Sequence, residues 1–140
     1  MRRPNRTHGR GLGNRALFFG IAAIIYAPLI FVLSSQPSIP EFMEPVFSVS
    51  DKLAHFIEFA ILGGFLFLTF ASAGWRPFDA PMALVLGVAY GLTDELHQLL
   101  VPGRMGDPMD ALANGAGAII AVLILALADR KYHPSQMTSG

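Results

Sequence analysis

Four stretches of this chain are almost free of charge. Residues 16–33 (ALFFGIAAIIYAPLIFVL) carry none. Residues 53–73 carry His55 and Glu58 near their start and nothing ionisable after them. Residues 80–101 are apolar until Asp94, Glu95 and His97, and residues 109–128 hold Asp110 as their one charge. Each stretch is close to the ~20 residues that carry a helix across a ~30 Å hydrocarbon core. A membrane strand barrel would need apolar/polar alternation over segments of ~10 residues, and none occurs. The pattern predicts an all-α integral membrane protein with four transmembrane helices in a small antiparallel bundle. The membrane domain runs over residues 16–128, between a basic tail at 1–15 and a second tail at 129–140.

Composition agrees. Of 140 residues, 53% are hydrophobic and 14% are charged, where a soluble domain carries about 25% charged residues. Mean hydropathy is +0.49. These values exclude an ordinary soluble enzyme and a disordered chain. The absence of cysteine removes disulfides, thiol catalysis and Cys-ligated zinc. A formal net charge of zero argues against a nucleic-acid surface.

Lysine and arginine set the expected orientation, since cytoplasmic loops carry the excess of both. With four spans, Arg2, Arg3, Arg6, Arg10, Arg15, Arg76, Arg130 and Lys131 fall on one side, and Lys52 and Arg104 fall on the other. Both termini are therefore expected in the cytoplasm, in the cell membrane. The first span follows a basic segment as a signal peptide would. It is longer than the usual h-region of ~7–15 residues, and no Ala-x-Ala site follows it, so it reads as a retained helix. In the outer loop, residues 34–52, the positions Ile39, Phe42, Met43, Val46 and Phe47 recur at helical spacing opposite Glu41, Glu44 and Ser48. That suggests a short helix lying on the outer interface. Pro40 suits its first turn, whereas Pro45 would strain its interior.

The acidic residues gather opposite the basic ones. Glu41, Glu44, Asp51, Glu58, Asp94, Glu95, Asp107 and Asp110 all fall outside or in outer half-spans. Acidic residues contribute little to topology, so this bias calls for a site. At 1.5 Å per residue, Glu58, Glu95 and Asn114 each lie ~10 Å in from the outer end of their helices, with His55, Gln98 and Asp110 ~5–6 Å in. Asp51, His55 and Glu58 share a helix face, as do Glu95 with Gln98 and Asp110 with Asn114. Ionisable groups at such depth face a bundle interior or a wet cavity. One polar pocket open to the outside and lined by helices two, three and four is the simplest arrangement. Arg104, in the bend PGRMGDP, would cover its mouth, with a guanidinium fork suited to carboxylate or phosphate. Asp94 lies about 100° round the helix from Glu95 and is expected to face another neighbour. Gly63, Gly64, Gly87, Gly91, Gly115 and Gly117 are candidates for close helix approach.

Asp51-Lys52-x-x-His55-Phe56, Gly91-x-x-Asp94-Glu95-x-x-Gln98, Pro102-Gly103-Arg104 and Asp110-x-x-x-Asn114-x-x-Gly117 together resemble the VanZ-like membrane protein family, over roughly residues 51–122. The resemblance implies a small multi-span membrane protein and a link to the cell envelope, since the founding member is associated with glycopeptide (teicoplanin) resistance. It implies no particular reaction. His97 departs from the family pattern, which is often apolar there, and is given little weight.

The expected function is binding of, or action on, an envelope lipid or cell-wall precursor headgroup. In that reading His55, Glu58 and Glu95 handle protons or polar contacts. Asp51, Lys52, Gln98, Arg104, Asp110 and Asn114 bind the ligand, and Arg104 with Lys52 holds an anionic group. Two carboxylates ~10 Å inside a bundle should not both stay ionised if they touch. Glu58 and Glu95 would then share a proton, pair with protonated His55, or bind a cation. A divalent cation on His55, Glu58, Glu95 and Asp110 is chemically suitable, although no HExxH-type signature is present. Two alternatives use the same residues: a small transporter or proton relay, and a structural or partner-binding protein in which they lock the bundle. A polar route to the inner face, which transport needs, is missing from the inner halves of the spans.

Overall fold

A computed structural model of the protein describes residues 7–35, 44–102, 104 and 106–132. It contains four helices in sequence: α1 (Thr7–Ser34), α2 (Glu44–Ser72), α3 (Asp79–Gln98) and α4 (Pro108–Tyr132). Among the described residues, three helical segments are long and apolar enough to cross a membrane: Gly13–Ser34, Asp51–Ser72 and Pro108–Tyr132. The 20-residue α3 is not among them, because its last turns carry Asp94, Glu95, His97 and Gln98.

Two element boundaries differ from the sequence expectation. α1 begins at Thr7, inside the segment assigned to the basic tail. α2 is already helical at Glu44, so residues 44–52 extend the second helix. Pro45 does not break it, because in a first turn the missing N–H would have no helical partner in any case. The remainder of the suggested interfacial helix, residues 39–43, lies outside the described residues.

α2 packs against each of the other three helices, and α1 meets α3 through a smaller contact. The core lies along α2. Phe59 and Leu62 bury with Ala23, Ile30 and Ala118, and Phe67 with Ala83 and Val122. The tightest approach is between α2 and α4. A Cβ built on Gly117 would lie 2.1 Å from the Phe56 carbonyl oxygen, and one on Gly63 would lie 2.9 Å from the Ala118 carbonyl oxygen. On α3, Gly87 faces the Ala118 side chain at 3.1 Å and Gly91 faces that of Asn114 at 3.0 Å. Gly115 has nothing within 4 Å, and Gly64 makes ordinary contact at 3.6 Å. Of the glycine candidates, those two do not mediate close approach. Tyr90 ties α3 to α1 by donating to the Ala27 carbonyl at 2.6 Å.

The outside of the bundle is apolar. Ile24, Ile25, Val85, Leu92, Leu96, Leu123, Ile124 and Leu127 are all exposed. Lipid, which needs no hydrogen bonds from the surface, is the solvent that suits it.

Candidate functional site

The antiparallel helices bring the end of α1, the first turns of α2, the end of α3 and the start of α4 to one end of the bundle. Of the eight buried polar or charged residues described, seven are there: Ser34, His55, Asp94, Glu95, Gln98, Asp110 and Asn114. The eighth, Asp79, is at the far end, where Arg76 pairs with Asp129 and lies 4.0 Å from Asp79.

The start of α4 is built by Asp107. Its Oδ1 accepts the Met109 N–H at 2.8 Å and its carbonyl accepts that of Asp110 at 2.8 Å, with Pro108 in the first helical position. That is an N-cap followed by the residue least harmed by an unpaired N–H. The other oxygen of Asp107 takes Lys52 Nζ at 2.6 Å, and the same ammonium reaches Asp110 at 2.9 Å. Lys52 thus ties the start of α2 to the start of α4. The hydrogen bond from its ammonium, reinforced by the Met109 N–H, holds the Asp107 carboxyl below the usual carboxylate range.

Arg104 crosses the same end. It donates to the Ser34 carbonyl at 2.8 Å, satisfying one of the last open carbonyls of α1, and lies 3.8 Å from Asp51. With Leu33, Ser34, Asp51, Ala54, His55 and Glu58 it lines a small cleft of about 50 Å³. That is room for a few waters or an ion and not for a whole lipid headgroup.

Behind this rim lies a second layer. His55 Nδ1 is 3.1 Å from Asn114 Oδ1, while Asn114 Nδ2 faces the Gly91 carbonyl at 3.5 Å. His55 Nε2 lies 3.9 Å from Asp110 Oδ2. Asp94 is 2% exposed. Its Oδ2 accepts from Ser34 at 3.0 Å and from Gln98 at 3.2 Å, and lies 4.0 Å from His55. Asp94 Oδ1 and Glu95 Oε1 are buried without a hydrogen-bond partner among the described residues.

His55, Glu95, Gln98, Asp110 and Asn114 are therefore gathered in the interior, with Asp51, Lys52, Glu58 and Arg104 around the cleft and rim. Three particulars differ from expectation. Asp94 faces the cluster, contacting α1 and standing beside His55. Glu58 lines the cleft with Asp51, His55 and Arg104, whereas Glu95 groups with His55 and Asp94 behind it. The third is that α1 takes part, through Ser34 and through Ser35, whose hydroxyl meets His97 at 2.9 Å while the His97 ring stacks on Phe31. The serine pair closing the first apolar run was the available signal for this.

Two groups of side chains are spaced to hold a metal ion. One ligand atom each from His55, Asp94 and Glu95 lie within 4.8 Å of one another, and the same is true of Asp51, His55 and Asp110. Glu58 is in neither group.

No curated protein and no solved structure matches this chain. The sequence model of the VanZ/LLP1 family matches residues 5–129, from the start of α1 to the last turns of α4. With nearly the whole chain covered, and the polar residues of α2, α3 and α4 converging at one end of a lipid-compatible helical bundle, the protein belongs to the VanZ/LLP1 family.

Proposed function

We propose that this VanZ/LLP1 membrane protein spans the cell membrane four times with both termini in the cytoplasm, and that the polar end of its bundle faces outward. There it binds, or acts on, the headgroup of an envelope lipid or cell-wall precursor, a role in keeping with glycopeptide resistance. The carrying observation is the concentration of buried polar residues at one end of a bundle whose helix sides expose large apolar residues. Burying polar groups is costly, and a fold alone does not require so many at one level. Among the described residues Arg10, Arg15, Arg76, Arg130 and Lys131 lie at the other end, and the sequence adds Arg2, Arg3 and Arg6 before them, which supports the orientation. The apolar outer face of α3 (Val85, Leu92, Leu96) supports a fourth span. The headgroup contacts the rim, where Arg104 and Lys52 are partly exposed, because the cleft is too small to enclose it.

The test is binding of the purified protein, in phosphatidylcholine nanodiscs, to a polyprenyl-phosphate-linked precursor or an anionic phospholipid doped into the same discs. Saturable stabilisation against heating is expected, and Arg104→Gln should weaken it. Equal melting with and without the dopant would overturn the reading.

One observation favours a second reading. Lys52 and Arg104 are already engaged by Asp107, Asp110 and the Ser34 carbonyl, as in a lock that holds the bundle together. A lock requires that Arg104→Gln lower stability in plain phosphatidylcholine by as much as in doped discs.

A further inference from the structure

Asp94 and Glu95 are adjacent carboxylates at the buried end of α3. Among the described residues no lysine or arginine pairs with either. Lys52 is held by Asp107 and Asp110, and Arg104 by Ser34 and Asp51. Each carboxylate keeps one oxygen buried and unpartnered, Asp94 Oδ1 and Glu95 Oε1. A buried polar atom without a partner is costly, and native structures leave few of them. Two such atoms on neighbouring residues, both acceptors only when ionised, call for a shared electrophile.

His55 stands beside them. One of its ring nitrogens and one oxygen from each carboxylate fall within 4.8 Å of one another. Its Nδ1 is the ring nitrogen beside Asp94, 4.0 Å from Oδ2, and its Nε2 lies 3.9 Å from Asp110 Oδ2. A metal-binding histidine turns its second nitrogen towards a neighbouring carboxylate, the place Asp110 takes beside Nε2. The other oxygen of Asp94 is likewise fixed, by Ser34 and Gln98. The cleft reaches His55 and Ser34, both of which neighbour Asp94. Around a ~2.1 Å coordination sphere, neighbouring ligand atoms stand roughly 3–3.5 Å apart, so modest side-chain rotation closes the site.

We infer that His55, Asp94 and Glu95 form a binding site for one divalent cation of the Mn²⁺/Zn²⁺ class at the polar end of the bundle. One nitrogen and two carboxylate oxygens suit such an ion. Its two positive charges balance the two carboxylates that nothing else neutralises. Asp51 and Asp110, which make a second group with the same histidine, add negative potential around it. The site is independent of the headgroup reading, although it sits beneath the surface which that reading uses.

The test uses the whole protein in pure phosphatidylcholine nanodiscs, stripped with chelator and titrated with Mn²⁺ near neutral pH. Free Mn²⁺ is counted by its electron paramagnetic resonance signal, and Zn²⁺ serves as competitor. One bound Mn²⁺ per chain is expected, displaced by Zn²⁺, with a ¹⁴N hyperfine coupling from His55. Asp94→Asn and Glu95→Gln should each weaken binding by at least about tenfold. Asp79→Asn, at the far end of the bundle, should leave it intact. If Asp94→Asn fails to fold, Glu95→Gln and the nitrogen coupling in the unmutated protein carry the decision. The inference is overturned by no stoichiometric binding, by binding undiminished in Glu95→Gln, or by bound Mn²⁺ lacking nitrogen coupling. No anionic headgroup is present in this assay. Headgroup binding that persists in chelator would leave the functional reading standing while this one fell.

Discussion

Replacing Gly117 with alanine tests the α2–α4 contact on which the polar layer depends. The new Cβ would lie 2.1 Å from the Phe56 carbonyl oxygen, 3.0 Å from its carbon and 3.1 Å from the Ala60 nitrogen. All three are backbone atoms, so no side chain can swing away. Restoring an ordinary carbon–oxygen contact of about 3.4 Å requires the helices to part locally by roughly 1 Å. His55 precedes Phe56, and Asn114 lies one turn before Gly117, so the same displacement stretches their 3.1 Å hydrogen bond beyond useful range. Overpacking costs about 1–3 kcal/mol, and a buried hydrogen bond left open costs about 1–3 kcal/mol more. A loss of about 2–5 kcal/mol is expected after partial relaxation. The assay is reversible unfolding in mixed micelles with increasing dodecyl sulfate, followed by circular dichroism. Gly115→Ala is the control on the same helix. Nothing lies within 4 Å of its Cβ, so its stability should stay within about 0.5 kcal/mol or rise slightly. If Gly117→Ala unfolds like the unmutated protein, or if the two variants lose stability equally, the close approach does not hold the polar layer together.

Two further outcomes follow from the ends of the bundle. Asp107 has a folded-state pKa below its unfolded value of about 3.9. Its stabilising tie to Lys52 is therefore fully present above that value and is lost as pH falls through the lower folded value. The stability difference between the protein and Asp107→Asn should be constant above about pH 5 and shrink below about pH 4; a difference independent of pH would contradict the ion pair. With no native cysteine, single substitutions at Pro102, Trp75 and Thr138 report sidedness cleanly. An impermeant thiol reagent applied to intact cells should label the first alone, and labelling at Trp75 or Thr138 would reverse the orientation.

The helices were legible in the sequence because charge-free runs of bilayer length admit little besides helix. Their starts were less so. The Arg-rich lead into α1 reads as tail by charge, yet nothing in residues 7–15 forbids helix, and α1 continues through them. Pro45 reads as a breaker until its position relative to the α2 start is known. Equal depth on three helices pointed to His55, Glu95, Gln98, Asp110 and Asn114, since depth follows from helical rise alone. Angular position was less informative. Asp94 was set apart for lying about 100° from Glu95, but at that level α3 is faced by α1 and α2 as well as α4, and a wide face is interior. The glycines carry the reverse lesson. Asn114, Gly117 and Ala118 share a face by i, i+3, i+4 spacing and Gly115 does not, so the spacing already separated the glycine that packs from the one that is free.

The charges at the polar end fall into two unequal layers, and their arrangement links the two proposals. At the rim, Lys52 and Arg104 stand among Asp51 and Asp107, and Lys52 also reaches the buried Asp110. Beneath it, Asp94 and Glu95 face His55 without a lysine or arginine. Without a cation, the acidic inner layer repels an anionic headgroup that approaches the rim and offsets what the two basic side chains offer. A divalent ion on His55, Asp94 and Glu95 removes that repulsion. By thermodynamic reciprocity, an anionic headgroup at the rim must then tighten the ion by the same factor. Mn²⁺ affinity should accordingly rise when anionic lipid is doped into phosphatidylcholine discs, by about 5-fold or more for a coupling of 1 kcal/mol. Bulk attraction of cations to a charged bilayer would also raise it. The informative comparison is therefore with Arg104→Gln, in which the bulk effect survives and the coupling should diminish. An equal rise in both proteins would mean that ion and headgroup do not communicate, and that the rim and the inner layer serve separate ends.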